Sequence, residues 1–376
     1  MKKLAIFMLT AIMSLALAPG LIACSDKSGE GGNNGSAQPD YLRYTLSQDG
    51  SYYAVTGVRA EAGESVTVPT IRNGKPVLEI ANGAFSNSSV VTVTVSSGIQ
   101  SIGADAFKNC TALKSISLPE SVNSIGKRAF EGCGALTAFT VPDGVSEIAD
   151  GTFNNCASLA GITVHSRVIS FGSNAFFGCI ALDSVSYGGS VAEWCGIVTG
   201  NEYASPMYYG NKLLINGARI SGEIALENIS ALPYGTFKNS EITAFSVSGG
   251  ITELPGEIFL GCNKLATVSL PDGIKAIGEE AFYDCVALTD FDLPSSLERI
   301  GLNAFAWCTS LENVVIPASV NYIDFLAFSN CTSMQTVRFE SPEGWYIGGA
   351  AAFALNDLSA NASWLVSDYS TYIWTK

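Results

Sequence analysis

With 376 residues the chain is long enough for two or three ordinary domains, but only 14% of it is charged and 47% is apolar, which excludes a disordered polymer. A formal net charge of −14 repels phosphate backbones and anionic headgroups, so nucleic acid is excluded as a partner. A single histidine, His165, leaves little material for a nucleophilic triad.

The chain opens on Lys2-Lys3, followed by an almost wholly apolar run from Leu4 to Leu17 and the sequence Leu21-Ile22-Ala23-Cys24. The pattern predicts a leader over residues 1–23, too short and wrongly flanked to span a bilayer. Its ending resembles the lipobox of bacterial lipoproteins. That resemblance implies acylation of Cys24 and a lipid-anchored protein of the cell envelope whose only membrane contact is the lipid on Cys24. The alternative is an ordinary signal peptide or a short anchor. Residues 24–40, rich in Gly, Ser and Asn, predict a flexible tether with a reach of roughly 20 Å. Ser25-Asp26 resembles the acidic export signal of Bacteroidetes surface lipoproteins, although Lys27 interrupts it, and points to the outer membrane and its exposed face.

Residues 41–75 alternate apolar and polar positions between the turn signals Asp49-Gly50 and Asn73-Gly74, predicting β-strands that form an N-terminal cap. From residue 76 a repeat takes over. Phenylalanine recurs at Phe107, Phe130, Phe153 and Phe176, then at Phe259, Phe282, Phe305 and Phe328, each 23 residues after the last within its block. Cysteine follows three places later every time, from Cys110 to Cys331. A fixed period of this size predicts a solenoid whose coils bury their apolar faces only by stacking. Within a coil, Leu113, Ile116 and Leu118 have strand spacing, Pro119 ends the strand, and Val122 with Ile125 lays a second extended piece opposite.

The resulting motif, LxxIxLPxxVxxIGxxAFxxC, resembles the leucine-rich repeat of the BspA type, also described from Treponema surface proteins. The resemblance implies a leucine-rich repeat solenoid, a right-handed superhelix of mostly β coils with short helical turns, about ten coils of about 23 residues each. It further implies a surface lipoprotein of Bacteroidetes-like bacteria that binds or adheres to diverse partners without catalysis or a cofactor. The first array is expected over 76–182 and the second over 222–340. Residues 341–376, with Trp345, Trp364 and Trp374, are expected to cap the last coil.

Between Phe176 and Phe237 the spacing lengthens to 61 residues. The insert, 183–221, holds Tyr187, Trp194, Tyr203, Tyr208 and Tyr209, and inserts in repeat proteins often carry the binding face. These five are candidate contacts for a protein or glycan partner, one of host origin included. If Tyr203, Tyr208 and Tyr209 bury against the array, the insert is a spacer instead. Asp290 and Asp292 alternate with apolar neighbours, so they are expected together on the outer side of a strand. They are candidates for partner binding or, in the alternative reading, for acid–base work in an accessory enzyme of carbohydrate or peptide processing. A passive scaffold is the third reading. The cysteines are expected to be small buried hydrophobes, since neighbouring strands hold them parallel and no zinc-type pair occurs.

Overall fold

A computed structural model describes residues 41–289, 291–351 and 355–376, which lie within one compact unit. The expected leader, tether and Cys24 lie outside the described residues. The chain winds into a β-solenoid of about twelve turns with little helix. Most turns contribute three parallel rows: a strand such as Gly161–Val164, a two-residue strand opposite such as Ser170–Phe171, and a tight turn carrying the Ala-Phe pair.

Successive coils repeat the same contacts. In the first row Ala138–Thr140 pairs in parallel with Gly161–Val164, and that strand with Ser184–Tyr187. Inward side chains such as Phe139 and Ile162 are buried, whereas outward Thr140 and Thr163 are exposed. In the third row the phenylalanines form a column: Phe107 and Phe130 stack at 5.3 Å with planes 5° apart, Phe130 and Phe153 at 5.7 Å and 6°. The column resumes from Phe237 to Phe328.

The cysteines are buried and, among the described residues, free. The regularity of the eight repeat cysteines has a further cause, because each of their thiols donates to the carbonyl of the phenylalanine one coil back. Cys133 reaches Phe107 O at 3.1 Å, Cys156 reaches Phe130 O at 3.2 Å, and Cys331 reaches Phe305 O at 3.1 Å. Ser88 and Ser240 occupy this slot where each phenylalanine column begins, and contact Cys110 and Cys262.

Glycine in the Ile-Gly pair answers to close approach of neighbouring backbones. A Cβ on Gly126 would sit 2.5 Å from Ala104 N and 2.7 Å from Gly103 C, backbone atoms with nowhere to yield. Gly126→Ala is therefore expected to lower stability by about 1–3 kcal/mol. Gly134→Ala, whose Cβ would meet nothing within 4 Å, serves as control in urea unfolding. A midpoint shift at Gly126 no larger than at Gly134 would refute the account.

Both ends of the stack are covered. Leu42–Leu46 pairs antiparallel with Tyr53–Val58 at the amino end. At the carboxyl end Trp374–Thr375 pairs antiparallel with Tyr322–Ile323, while Trp345 and the ring of Trp374 pack on Phe339 at 5.3 and 6.0 Å.

The insert is no protruding loop. Ser184–Tyr187 and Val198–Thr199 continue the two ladders, and Tyr203 O accepts the Phe176 N–H, so residues 184–210 form one irregular coil. Its short helix, Val191–Cys195, is fixed by a capping box in which Ser190 Oγ accepts from Glu193 N while Glu193 Oε2 accepts from Ser190 N. Lys212–Ile215 then pairs antiparallel with Ala218–Arg219 and ends that sheet. Among the described residues, no backbone hydrogen bond crosses from 41–219 to 220–376. The joint is held by apolar packing and by side chains: Trp194 Nε1 donates to Thr236 Oγ1 (3.3 Å), Ser205 Oγ to Tyr234 O (3.3 Å) and Asn239 Nδ2 to Asn211 O (2.9 Å).

Candidate functional site

The outer face of the first row is a carpet of small side chains, including Ser115, Ser117, Thr140, Thr163, Thr267 and Ser269, all exposed. Cross-strand hydroxyl pairs such as Ser65 Oγ with Thr92 Oγ1 at 2.8 Å account for it as sheet-stabilising chemistry. Larger side chains gather at the joint.

There the insert coil and the first coil of the second array bring five rings together. Phe177 meets Tyr203 at 5.2 Å, Tyr203 meets Tyr208 at 4.8 Å, and Tyr208 meets both Tyr209 and Tyr234 at 5.0 Å. Phe177 is 39% exposed and the four tyrosines are half-buried, so the cluster is rigid yet reachable. Tyr234 lies across Gly256, where a Cβ would come within 2.7 Å of its ring. Behind it Lys238 and Glu257 form a 2.5 Å ion pair whose side chains are largely buried.

Beside the rings runs a groove of about 440 Å³ lined by Thr199, Asn201, Glu202, Leu232, Tyr234, Glu253, Leu254 and Glu279 among others. Its origin lies in two prolines. Four residues before the phenylalanine, most other coils place a residue whose N–H donates to the coil behind: Gly126 to Ile102 O at 2.8 Å, Gly172 to Ile148 O at 2.7 Å, Gly278 to Leu254 O at 2.9 Å. Pro233 and Pro255 fill that slot at the joint and have no N–H to give. The second ladder accordingly stops at Val198–Thr199 and restarts at Glu253–Leu254.

The electrostatics are one-sided. Burial, reinforced by the neighbouring carboxylates Glu280, Glu257, Asp324 and Glu202, raises the Glu279 carboxyl above its ordinary value. Burial pushes Tyr208 up to about 12, and with Glu257 it raises Tyr234 as well. A hydrogen bond to Glu202 raises Tyr203.

The structure divides the residues expected to make contact. Tyr203, Tyr208 and Tyr209 come together at the surface, with Tyr209 also packed on the core, so they are neither a freestanding patch nor a fully buried spacer. Tyr187 is 1% exposed and Trp194 fully buried, their rings 5.2 Å apart, which corrects their assignment to a contact surface. Strand alternation puts Tyr187 on the inward side with Val185, and Trp194 fills the wider interior of the irregular coil. Asp292 is exposed, Asp290 lies outside the described residues, and no strand runs through 291–294, contrary to expectation and in keeping with aspartate's poor fit to a strand. His165 is engaged at both nitrogens, Nε2 with Pro142 O at 2.9 Å and Nδ1 with Arg167 N at 3.1 Å. Sequence reasoning misses Phe177, Tyr234 and the groove carboxylates. The signal that would find the groove is proline in the Ile-Gly slot.

Fold and repeat together define a leucine-rich repeat solenoid. The chain belongs to the BspA type leucine rich repeat family, whose six matched copies span residues 78–196 and 230–356, more than half of the chain. Among solved structures it is similar to a leucine rich cell surface protein of Faecalibacterium prausnitzii, with 23% identity over 81% of this chain and 94% of that one and a TM-score of 0.48. A T. pallidum leucine rich repeat protein matches at 22% identity over 68% and 92%, TM-score 0.39, and one from Bacteroides ovatus at 25% over 79% and 93%, TM-score 0.37. No curated protein matches the sequence.

Proposed function

We propose that the protein is a non-enzymatic binding module, anchored by lipid at Cys24 on the outer face of the cell envelope, which uses the joint to hold a protein or glycan partner. The observation that carries this is the row of five rings, Phe177, Tyr203, Tyr208, Tyr209 and Tyr234, on a solenoid whose strand face carries mostly small side chains, Val315 and Arg338 being larger exceptions near its carboxyl end. Tyrosines held in place by packing supply contact area at low entropic cost, as contact hot spots do. The commitment of both His165 nitrogens to repeat contacts favours binding over catalysis.

Deleting Ser186–Ile220 is a poor test, because it removes Tyr187, Trp194 and Met207 from the core. The double variant Tyr203→Ser, Tyr208→Ser is the better one, read on an array of matrix proteins and glycans beside Thr140→Ala on the carpet. Capture is expected to fall at least about tenfold in the tyrosine variant and to hold in the control. Equal capture by both would remove the joint from the function.

A further inference from the structure

The joint groove combines apolar side chains such as Leu232 and Leu254 with hydroxyls, one amide and the three carboxylates of Glu202, Glu253 and Glu279. In most other coils of the second ladder a backbone N–H from the next coil satisfies the carbonyl five places before the phenylalanine, Ile125 O opposite Ala149 being an exception. Pro233 and Pro255 withhold that donor from Thr199, at the end of a strand, and from Leu232, so the carbonyls of two groove-lining residues have no following coil bonded to them. Around them stand Glu202, Glu253 and Glu279, none of which forms an ion pair with a lysine or arginine among the described residues. The Tyr234 ring supplies one wall.

Three observations fix the chemistry of an occupant. Carbonyls and carboxylates both require donors, so the ligand is rich in N–H groups and positively charged. The carboxylates are dispersed, and among the described residues no three His, Cys, Asp or Glu side chains converge to hold a metal ion, so the positive charge is spread along the ligand. The groove crosses several coils, from Thr199 to Glu279, at a strand spacing of about 4.8 Å, which suits an extended chain better than a compact molecule. We infer that the groove is a docking site for an extended, lysine- or arginine-bearing peptide segment. Its backbone N–H groups bond the carbonyls of Thr199 and Leu232, and its cations meet Glu202, Glu253, Glu279 and the face of Tyr234. This rests on the binding role proposed above and names the partner class of the same surface.

The test uses labelled synthetic peptides of equal length, alternating lysine with serine, glutamine with serine, or glutamate with serine, titrated into the purified protein at low and high salt. The lysine peptide is expected to bind, the other two to bind at least about tenfold more weakly, and salt to erode the difference. The triple variant Glu202→Gln, Glu253→Gln, Glu279→Gln is expected to lose about tenfold for the lysine peptide while its melting temperature holds, since Glu202, Glu253 and Glu279 are exposed. A lysine peptide N-methylated on alternate residues is expected to bind less well than its parent. Binding indifferent to peptide charge, or unchanged in the triple variant, would overturn the inference. If the lysine peptide fails while the tyrosine-dependent capture of matrix components persists, only this inference falls; if both fail, the binding role falls with it.

Discussion

Raising the pH past about 9 is expected to unfold the protein over a narrow interval. An unfolded thiol titrates at 9.0, whereas burial lifts Cys179, Cys195, Cys262 and Cys331 to about 12 in the folded chain and raises Cys110, Cys133, Cys156, Cys285 and Cys308 as well. Between those values the unfolded state holds fewer protons than the folded one, so stability falls as pH rises. It is fully present below 9 and is lost on the way to 12. Each thiol contributes a slope of about 1.4 kcal/mol per pH unit, and the four held near 12 alone give on the order of 5 kcal/mol per unit. Over that interval the loss reaches the whole stability of a typical domain. Circular dichroism against pH measures the midpoint. Replacing Cys133, Cys156 and Cys285 by serine, which does not ionise here and already fills the slot at Ser88 and Ser240, is expected to move the midpoint upward. A protein still folded near pH 12, or a midpoint indifferent to these serines, would contradict the thiol account.

Truncating the middle of the aromatic column is expected to cost the most of any single substitution. Phe153 is fully buried, stacks on Phe130 at 5.7 Å and Phe176 at 5.5 Å, and meets the edge of Phe139 at 4.7 Å. Phe153→Ala leaves a cavity worth about 3–5 kcal/mol. In a stack where each coil touches only its neighbours, that defect also uncouples the coils on either side. Ile180→Ala, at a side chain 71% exposed, is expected to cost less than about 0.5 kcal/mol. Denaturant unfolding of the two variants separates them, and equal losses would mean that the column does not organise the stack.

How much of the fold is legible in the sequence depends on where each residue points. Inward positions repeat because one core is stacked many times, so Phe, Cys and the Val-x-x-Ile pair reveal the coil. Expectation placed ten coils where about twelve occur; one of the added turns is the irregular coil, which keeps the stacking with different residues: Trp194 and Met207 in the interior and helix Val191–Cys195 between the rows. The capping box Ser190-x-x-Glu193 is a local sign of that helix. The candidate site is only half visible, since Tyr203, Tyr208 and Tyr209 lie close in sequence, whereas Phe177 and Tyr234 reach them through stacking across coils. Pro233 and Pro255 look ordinary until the hydrogen bond their neighbours make at that slot is known.

The odd coil has a consequence for how such a chain finds its fold. Near-identical coils are interchangeable partners, so an array of them suffers a translational ambiguity: a coil can settle against the wrong copy one period away, and the error is nearly silent in local energy. The joint has no copy elsewhere in the chain. Trp194 finds Thr236 and Ser205 finds Tyr234 in one alignment alone. A misplaced coil on either side leaves that lock open. The irregular segment thereby works as an index mark from which the rest of the stack is counted.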